Sequence, residues 1–407
     1  MRTNKLEIIN AIALKRGFYM PSAEPYAGKA EIAGLYAYSH LGKAMKLKFE
    51  NLWRNFFLKL HDNFYEIEGT CILPKQVFEA SGHLKNFNDP LIECLKCHFR
   101  FRADHFIEDE LGIDASSLSL NEMTKLIKQN KLKCPKCNSI QLSDVNFYNM
   151  MFPIQLGAIS KEINAYLTPE TAQQAYLAFK RQFEALRKKL PLGLAVIGKV
   201  FRNEISPRQL FFRLREFTQA ELQVFIANEM LDQDVLGIWQ EIKTKSVIAK
   251  LVKDKEAKEY KLDDLNKKGY PKLYLSFMYK IQEFYLEKVK LPKEKFRFRE
   301  LSEEERAFYN KIHFDVEAFI ESLGGFKEIA GLHYRSDYDL SRHQEHSKQS
   351  HEVLWNEKKI LPHVIELSFG VDRNIFAFLD IFFKQEKERN LFSFPTSLAP
   401  IEVAIFP

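Results

Sequence analysis

The chain has 407 residues, 46% of them apolar and 28% charged, with a formal net charge of +6. That length can bury a large core and hold two or more structural units, and the small positive charge is compatible with an anionic partner without demanding one. No apolar run is long enough to cross a membrane, the N-terminus lacks a signal-peptide profile, and five cysteines are too few for a disulfide framework, so a cytoplasmic protein is expected.

Residues 4–16 carry helical spacing at Leu6, Ile9 and Ile12, and Gly17 is placed to end that helix. Tyr36-Ala37-Tyr38-Ser39-His40-Leu41-Gly42 leads into residues 42–61, where Met45, Phe49, Leu52, Trp53, Phe56, Phe57 and Leu60 form one apolar stripe. A strand is expected over 64–73, followed by a polar loop over 81–90. Cys94-Leu-Lys-Cys97 and Cys134-Pro-Lys-Cys137 come next. Two such knuckles in a cytoplasmic chain suit one structural Zn²⁺ held by four thiolates, with Cys71 left over. Between them Ser119 and Glu122 spell a capping box for a short helix ending near Lys131.

Tyr166-Leu-Thr-Pro-Glu170 opens a helix expected to run to about Leu190, before Pro191. The central stretch is 200–221, where two β-rich runs flank a turn at Ser206-Pro207 and read as an antiparallel pair. Alternation puts Arg202 and Glu204 on one face of the first strand. On the second strand Arg213, Arg215, Phe217, Gln219 and Glu221 share a face. Charges gathered around one aromatic ring are costly for folding alone but suit a nucleotide. Arginine forks can hold phosphate oxygens, a carboxylate can accept from an exocyclic amine, and Phe217 offers a stacking plane. Helix is expected over 228–252 and a solvated, charge-rich excursion over 253–268. Residues 364–368 read as a strand that runs through Phe369-Gly370 into a helix beginning near Val371, with Arg373 in its first turn.

The order Phe201-Arg-Asn-Glu204, loop, Arg213-x-x-x-Phe217-x-x-x-Glu221 resembles the second signature motif of class II aminoacyl-tRNA synthetases. Its form is that of the dimeric glycyl-tRNA synthetases, closest to the archaeal and eukaryotic branch, and the resemblance extends from about Leu6 to the last residue. Phe101-Arg102-Ala103-Asp104-His105, Lys327-Glu328-Ile-Ala-Gly331 and Arg335-Ser-Asp-Tyr-Asp-Leu340 are similar to family segments as well.

The resemblance implies an α+β class II synthetase fold, an antiparallel sheet flanked by helices with an inserted zinc-ribbon-like subdomain. It divides the chain into a catalytic part with a dimer-interface motif (1–80), a zinc-binding insertion (81–144), a core with the ATP hairpin (145–225), a helical, charge-rich insertion (226–295), a core with the third motif (296–395) and a terminal linker (396–407). The activity implied is ATP-dependent joining of glycine to tRNA(Gly) through glycyl-adenylate, by a homodimer, with Arg202 and Arg373 catalytic. ATP would meet Arg202, Asn203, Glu204, Phe212, Arg213, Leu214, Arg215, Glu216, Phe217, Lys327, Glu328, Gly370, Val371, Asp372 and Arg373. Glycine would meet Arg102, Glu170, Phe217, Thr218, Gln219, Ala220, Glu221, Glu366 and Ser368, and Glu328 and Glu366 would hold Mg²⁺.

Departures from the family pattern fall at Ser39-His40, Thr168, Phe326, His333-Tyr334 (where Ala-Asp is usual) and Leu367 (where proline is usual). Those at Ser39-His40, Thr168, His333-Tyr334 and Leu367 leave open an adenylate-forming enzyme for another acceptor, and a synthetase-like paralogue without catalysis is a second alternative. Residues 398–407 are similar to the linker and first strand of an anticodon-binding domain. The chain is therefore expected to form adenylate but to charge tRNA poorly unless that domain is supplied, for instance by a separately encoded partner.

Overall fold

A computed structural model describes residues 5–26, 33–115, 118–157, 163–205, 207, 210–307 and 309–405, with the backbone alone at Ile163. Asn4 of the first helix, Ser206 of the expected turn and the last two residues lie outside the described residues. Nine strands build the central sheet: β1 Phe64–Glu66, β2 Leu192–Phe201, β3 Glu216–Ile226, β4 Ser246–Lys250, β5 Lys258–Lys261, β6 Phe296–Glu300, β7 Ile312–Ile320, β8 Gly325–Ser336 and β9 His363–Gly370. Their order across the sheet is β5-β4-β6-β7-β8-β9-β3-β2-β1. Pairing is antiparallel except between β1 and β2 and between β4 and β6.

The pleat gives this sheet two unlike faces. Ala220, Leu222 and Val224 of β3, Leu367 and Phe369 of β9, Leu332 of β8 and Phe314 of β7 point into one apolar core. Five helices matter here: α1 Lys5–Arg16, α2 His40–Phe57, α3 Ala172–Ala185, α4 Lys272–Glu283 and α5 Val371–Ile381. Met45, Phe49, Trp53 and Phe57 of α2 are fully buried in that core. Phe49 meets Phe378 of α5 with ring centroids 5.3 Å apart, and Trp53 meets Phe369 at 5.9 Å. Each such side chain contributes about 1.5–3 kcal/mol by leaving water. Gly42 lets α2 come this close, because a Cβ there would lie 1.9 Å from the Phe18 carbonyl oxygen. The inner part of the apolar stripe of 42–61 is thus spent inside its own protomer.

The strand expected over 64–73 is two strands. β1 ends at Glu66, and Ile72–Pro74 pairs with Ile163–Leu167 in a separate three-stranded sheet. α3 stops at Ala185, short of Leu190, where Arg187 and Lys188 turn to positive φ. The helix expected over 228–252 is replaced by a 3₁₀ turn at Asn228–Asp232, a short helix at Trp239–Ile242 and strand β4. Val247 and Ala249 are fully buried while Ser246, Ile248 and Lys250 between and beside them are only partly so, and period two prevails over the helical reading. The charge-rich run is likewise ordered, as β5 and a helix at Leu262–Lys267.

The knuckle region has its own three-stranded sheet, Arg100–Arg102, Asn88–Glu93 and Asn146–Asn149, and its own core around Ile92, Phe101, Phe106, Met123 and Ile127. The capping box is present in both halves, and its helix, Leu120–Gln129, ends close to the expected place.

Candidate active site

Antiparallel register lays the polar face out in rows. Glu221 of β3 stands opposite Ser368 of β9, Ser368 opposite Gly331 of β8, and Gly331 opposite Asp315 of β7. The next row reads Gln223, Glu366, His333, His313. Residues far apart in sequence therefore share one surface.

The hydroxyls of Ser368 and Thr171 donate to the two oxygens of Glu221 at 2.6 and 2.7 Å. Glu170, just before α3, accepts from Gln173 Nε2 at 2.8 Å and faces His83 Nε2 at 3.6 Å. Glu366 accepts from Arg335 Nη1 (3.0 Å), Gln223 Nε2 (2.8 Å) and His333 Nδ1 (2.5 Å). Of these groups, Glu221, Ser368, Glu170, His83, Glu366 and His333 line a cavity of about 460 Å³ that also shows Gln219, Asp315, Glu328, Tyr309 and Arg202. Five carboxylates against one arginine make it acidic. Burial, reinforced by the Glu366 and Glu170 charges, pushes the Glu221 carboxyl up to about 8. Against the same burial, Arg335 and His333 hold Glu366 down at about 2, while His83 and Arg335 hold Glu170 below the usual carboxylate range.

Beside it lies a tight cleft, about 20 Å³, lined by Arg202, Glu204, Phe212, Arg213, Leu214, Phe217, Asp372 and Arg373. Arg373 Nη1 pairs with Glu328 at 2.8 Å and its guanidinium lies 5.3 Å from the Phe212 ring centre. Arg202 lies over both Phe217 and Phe87 at 5.3 Å and donates to the Pro169 carbonyl at 3.1 Å. Arg202 belongs to both walls.

Several expected placements need correcting. Arg202, Glu204, Arg213 and Arg215 are not on strands, because β2 ends at Phe201 and β3 begins at Glu216. The link between them is drawn inward by Phe211, Phe212 and Leu214, all buried, through a 3₁₀ turn at Leu210–Phe212. Arg215 ties this link together, donating to the Glu204 and Ala33 carbonyls, and Asn203 N–H binds the Met150 carbonyl. Glu216 pairs with Lys199 across the strands, in partly exposed surroundings. Ala220 and Val371 belong to the apolar core. Thr218 Oγ1 accepts from Lys46 Nζ, and its N–H meets Asp372, which also accepts from Tyr38. Asp372 and Thr218 thus tie α2, β3 and α5 together. Arg102 is held by Asp89 at 2.8 Å and Asp104 at 2.5 Å, and neither it nor Lys327 lines the two cavities. Gly370 caps α5, next to Arg373.

Sequence reasoning gave no role to Arg335, which is 1% exposed. It forms a fork with Asp339 (2.8 and 2.9 Å) and lies 4.1 Å from the Tyr309 ring centre. The only local signal was an arginine four residues before an aspartate. Leu367 faces the core between Leu222 and Leu332, so a non-proline there keeps a central ladder intact. Thr168 is buried and donates to the Glu170 carbonyl at 2.6 Å, and Phe326 lies 3.9 Å beneath Arg297. Phe308, in the segment beside Tyr309, lies outside the described residues.

In the knuckle unit the four Sγ atoms of Cys94, Cys97, Cys134 and Cys137 all lie within 4.8 Å of one another. Matching turns carry them, with His98 N–H bonded to the Cys94 carbonyl and Asn138 N–H to that of Cys134, and both turn residues at positive φ.

A two-walled site of this kind on an antiparallel sheet has counterparts among known proteins. Residues 158–382, more than half the chain, match the tRNA synthetase class II core domain (G, H, P, S and T). The fold is similar to that of prolyl-tRNA synthetase from Cryptosporidium parvum, solved with L-proline and AMP. The TM-score is 0.57 at 11% identity, covering 98% of this chain and 56% of that one. The fold and the core match define a class II aminoacyl-tRNA synthetase. Among curated relatives, glycine–tRNA ligases from Pyrococcus furiosus and Thermococcus gammatolerans are 35% and 34% identical, over 100% of this chain and 84% of theirs. That of Aeropyrum pernix is 31% identical over 100% of this chain and 82% of its own. The chain belongs to the glycine–tRNA ligase family.

Proposed function

We propose that the chain activates glycine with ATP to glycyl-adenylate and passes the glycyl group to the terminal ribose of tRNA(Gly), with the two cavities dividing the work. The observation that carries this is the acidic cavity abutting the arginine-lined cleft, with Arg202 in both walls. The glycine ammonium sits among Glu170, Glu221 and Glu366, with Ser368 beside it, and Gln219 in the wall. The carboxylate lies toward Arg202. It attacks the α-phosphorus of ATP and pyrophosphate leaves. No general base is needed, since the attacking oxygen is already ionised, so orientation and charge stabilisation carry the rate.

Phe217 offers a ring face to adenine and Glu204 accepts from its amine. Arg213 and Arg373 hold the outer phosphates, for which Arg373 exchanges its ion pair with Glu328. In the second step the ribose hydroxyl attacks the glycyl carbonyl and AMP leaves. Mg²⁺ carried with ATP neutralises phosphate charge, and Glu328, 49% exposed, fits as its carboxylate ligand. Glu366, 2% exposed and paired with Arg335 and His333, is assigned to the glycine ammonium rather than to the metal. Pyrophosphate exchange tests the reading: it should depend on glycine and stay near background with alanine or serine. Equal exchange with alanine overturns it.

The thiolate quartet fits one structural Zn²⁺. Tetrahedral ligands about 2.3 Å from the metal stand about 3.8 Å apart, and Cys94–Cys137 and Cys97–Cys134 are 3.6 and 3.7 Å apart. Metal analysis should give about one zinc per chain, whereas folded, metal-free protein would refute it.

Our reading keeps a cytoplasmic homodimer joined near α2 and β1, and the sixfold division of the chain given above. Among the described residues no helix is long and apolar enough to cross a membrane. β1 ends the sheet, and Tyr65 on it, Leu47 of α2 and Ile72 are exposed.

A further inference from the structure

His333 is a departure from the family pattern, and it stands in the wall of the acidic cavity, one strand from Glu366. Its Nδ1 is 2.5 Å from Glu366 Oε1, and its Nε2 is 3.0 Å from His313 Nε2. The other donors to Glu366, from Gln223, Arg335 and Tyr176, all reach Oε2. Among the described residues, His333 is the donor that reaches Oε1. The proton positions follow from the neighbours. His313 Nε2 lies 3.1 Å from Asp315 Oδ1, a carboxylate oxygen that can only accept, so the His313 proton sits on Nε2, which also faces His333 Nε2, while Nδ1 lies 3.2 Å from the Asn310 side-chain amide. His333 Nε2 must then accept, which leaves its own proton on Nδ1, aimed at Glu366. Burial and the facing His333 ring lower the His313 pKa, consistent with a neutral imidazole. Gly331 makes room for this ring, since a Cβ there would lie 2.5 Å from His333 Nε2.

We propose that His333 is a positioning residue for amino-acid activation: its Nδ1–H fixes the Glu366 carboxylate against the glycine ammonium, and His313 fixes the tautomer that makes it a donor. This rests on the reading of the acidic cavity as the glycine site. His333 touches Glu366 and not the reacting atoms, so its loss acts on glycine binding and leaves ATP alone.

The test is pyrophosphate exchange on the full chain carrying H333A, H333N or G331A, with ¹⁵N shifts of the labelled imidazoles read in parallel. H333A should raise the glycine KM about tenfold, the scale of a charge-assisted hydrogen bond, and leave the ATP KM within about twofold. H333N keeps an N–H donor on Cγ and should restore most of the glycine affinity. G331A pushes the ring aside and should behave as H333A does. A parental glycine KM in H333A, or equal impairment in H333A and H333N, overturns the inference. Should H333A fail to fold, H333N and G331A decide: a parental glycine KM in G331A overturns the inference, and a raised one beside a near-parental H333N supports it. The spectrum should show His333 protonated at Nδ1. Protonation at Nε2 instead overturns the inference whatever the chain activates. A parental chain that shows the expected tautomer without glycine-dependent exchange overturns the glycine reading, and the inference falls with it.

Discussion

The acidic cavity and the arginine cleft lie side by side but are built in opposite ways. The cavity is written on the sheet itself, in rows of strand residues whose spacing the ladder enforces: Glu221, Ser368, Glu366 and His333. The cleft is built from a link between strands and the first turn of α5: Arg202, Glu204, Arg213, Arg373. One is roomy and braced by buried donors; the other is tight, with its arginines paired to protein groups. A small rigid substrate suits the first arrangement. The second has groups free to exchange partners when a polyanion arrives.

That contrast can be broken at its firmest point. Arg335→Ala should cost about 3–5 kcal/mol of folding stability, because Asp339 and Glu366 would be left as buried, uncompensated carboxylates. Chemical denaturation reads this directly, and a loss below about 1 kcal/mol would mean the acidic wall does not depend on that cation. On the cleft side, Arg373→Ala should lower kcat for activation by about 10²-fold without a change in stability beyond about 1 kcal/mol. Glu221→Gln sharpens the division of labour. It should raise the glycine KM by about 1.5–3 kcal/mol of lost charge-assisted contact and leave the ATP KM unaltered, so parallel changes in both would erase the boundary between the walls.

The gentlest probe is pH. The folded Glu221 carboxyl holds its proton to about 8, against an ordinary value of 4.5, so in between the folded state binds the extra proton. Its stabilising contribution is complete below about 4.5 and is lost as pH rises toward 8. Ligand-free stability should therefore decline across that window, and Glu221→Gln should flatten the decline. Glycine, whose ammonium favours the ionised carboxylate, should bind more tightly over the same rise.

Much of this was readable from local pattern. Alternation over 216–226 and 363–370 put Glu221, Glu366 and Ser368 on site-facing positions, and the knuckle spacing brought the thiolates together. What stayed hidden was set by contacts between distant segments. Beyond Asp339 four residues on, nothing near Arg335 announces that it will be enclosed by Glu366 and Tyr309, and nothing near His313 announces His333. The arginines of the link were misplaced because alternation was carried past the ends of the ladder, where burial of Phe211 and Phe212 governs the path instead. β4 was missed because a five-residue alternation is too short to stand out in helix-compatible surroundings.

The two faces of the sheet are a single residue apart along every strand that carries the cavity. Glu366 is followed by Leu367, whose neighbours are Leu222 and Leu332, and Glu221 by Leu222. Deleting or inserting one residue in β3, β8 or β9 would send a carboxylate or imidazole into that hydrocarbon layer and turn a leucine toward the cavity. Single substitutions leave the two faces in register, whereas length changes must fall in the loops.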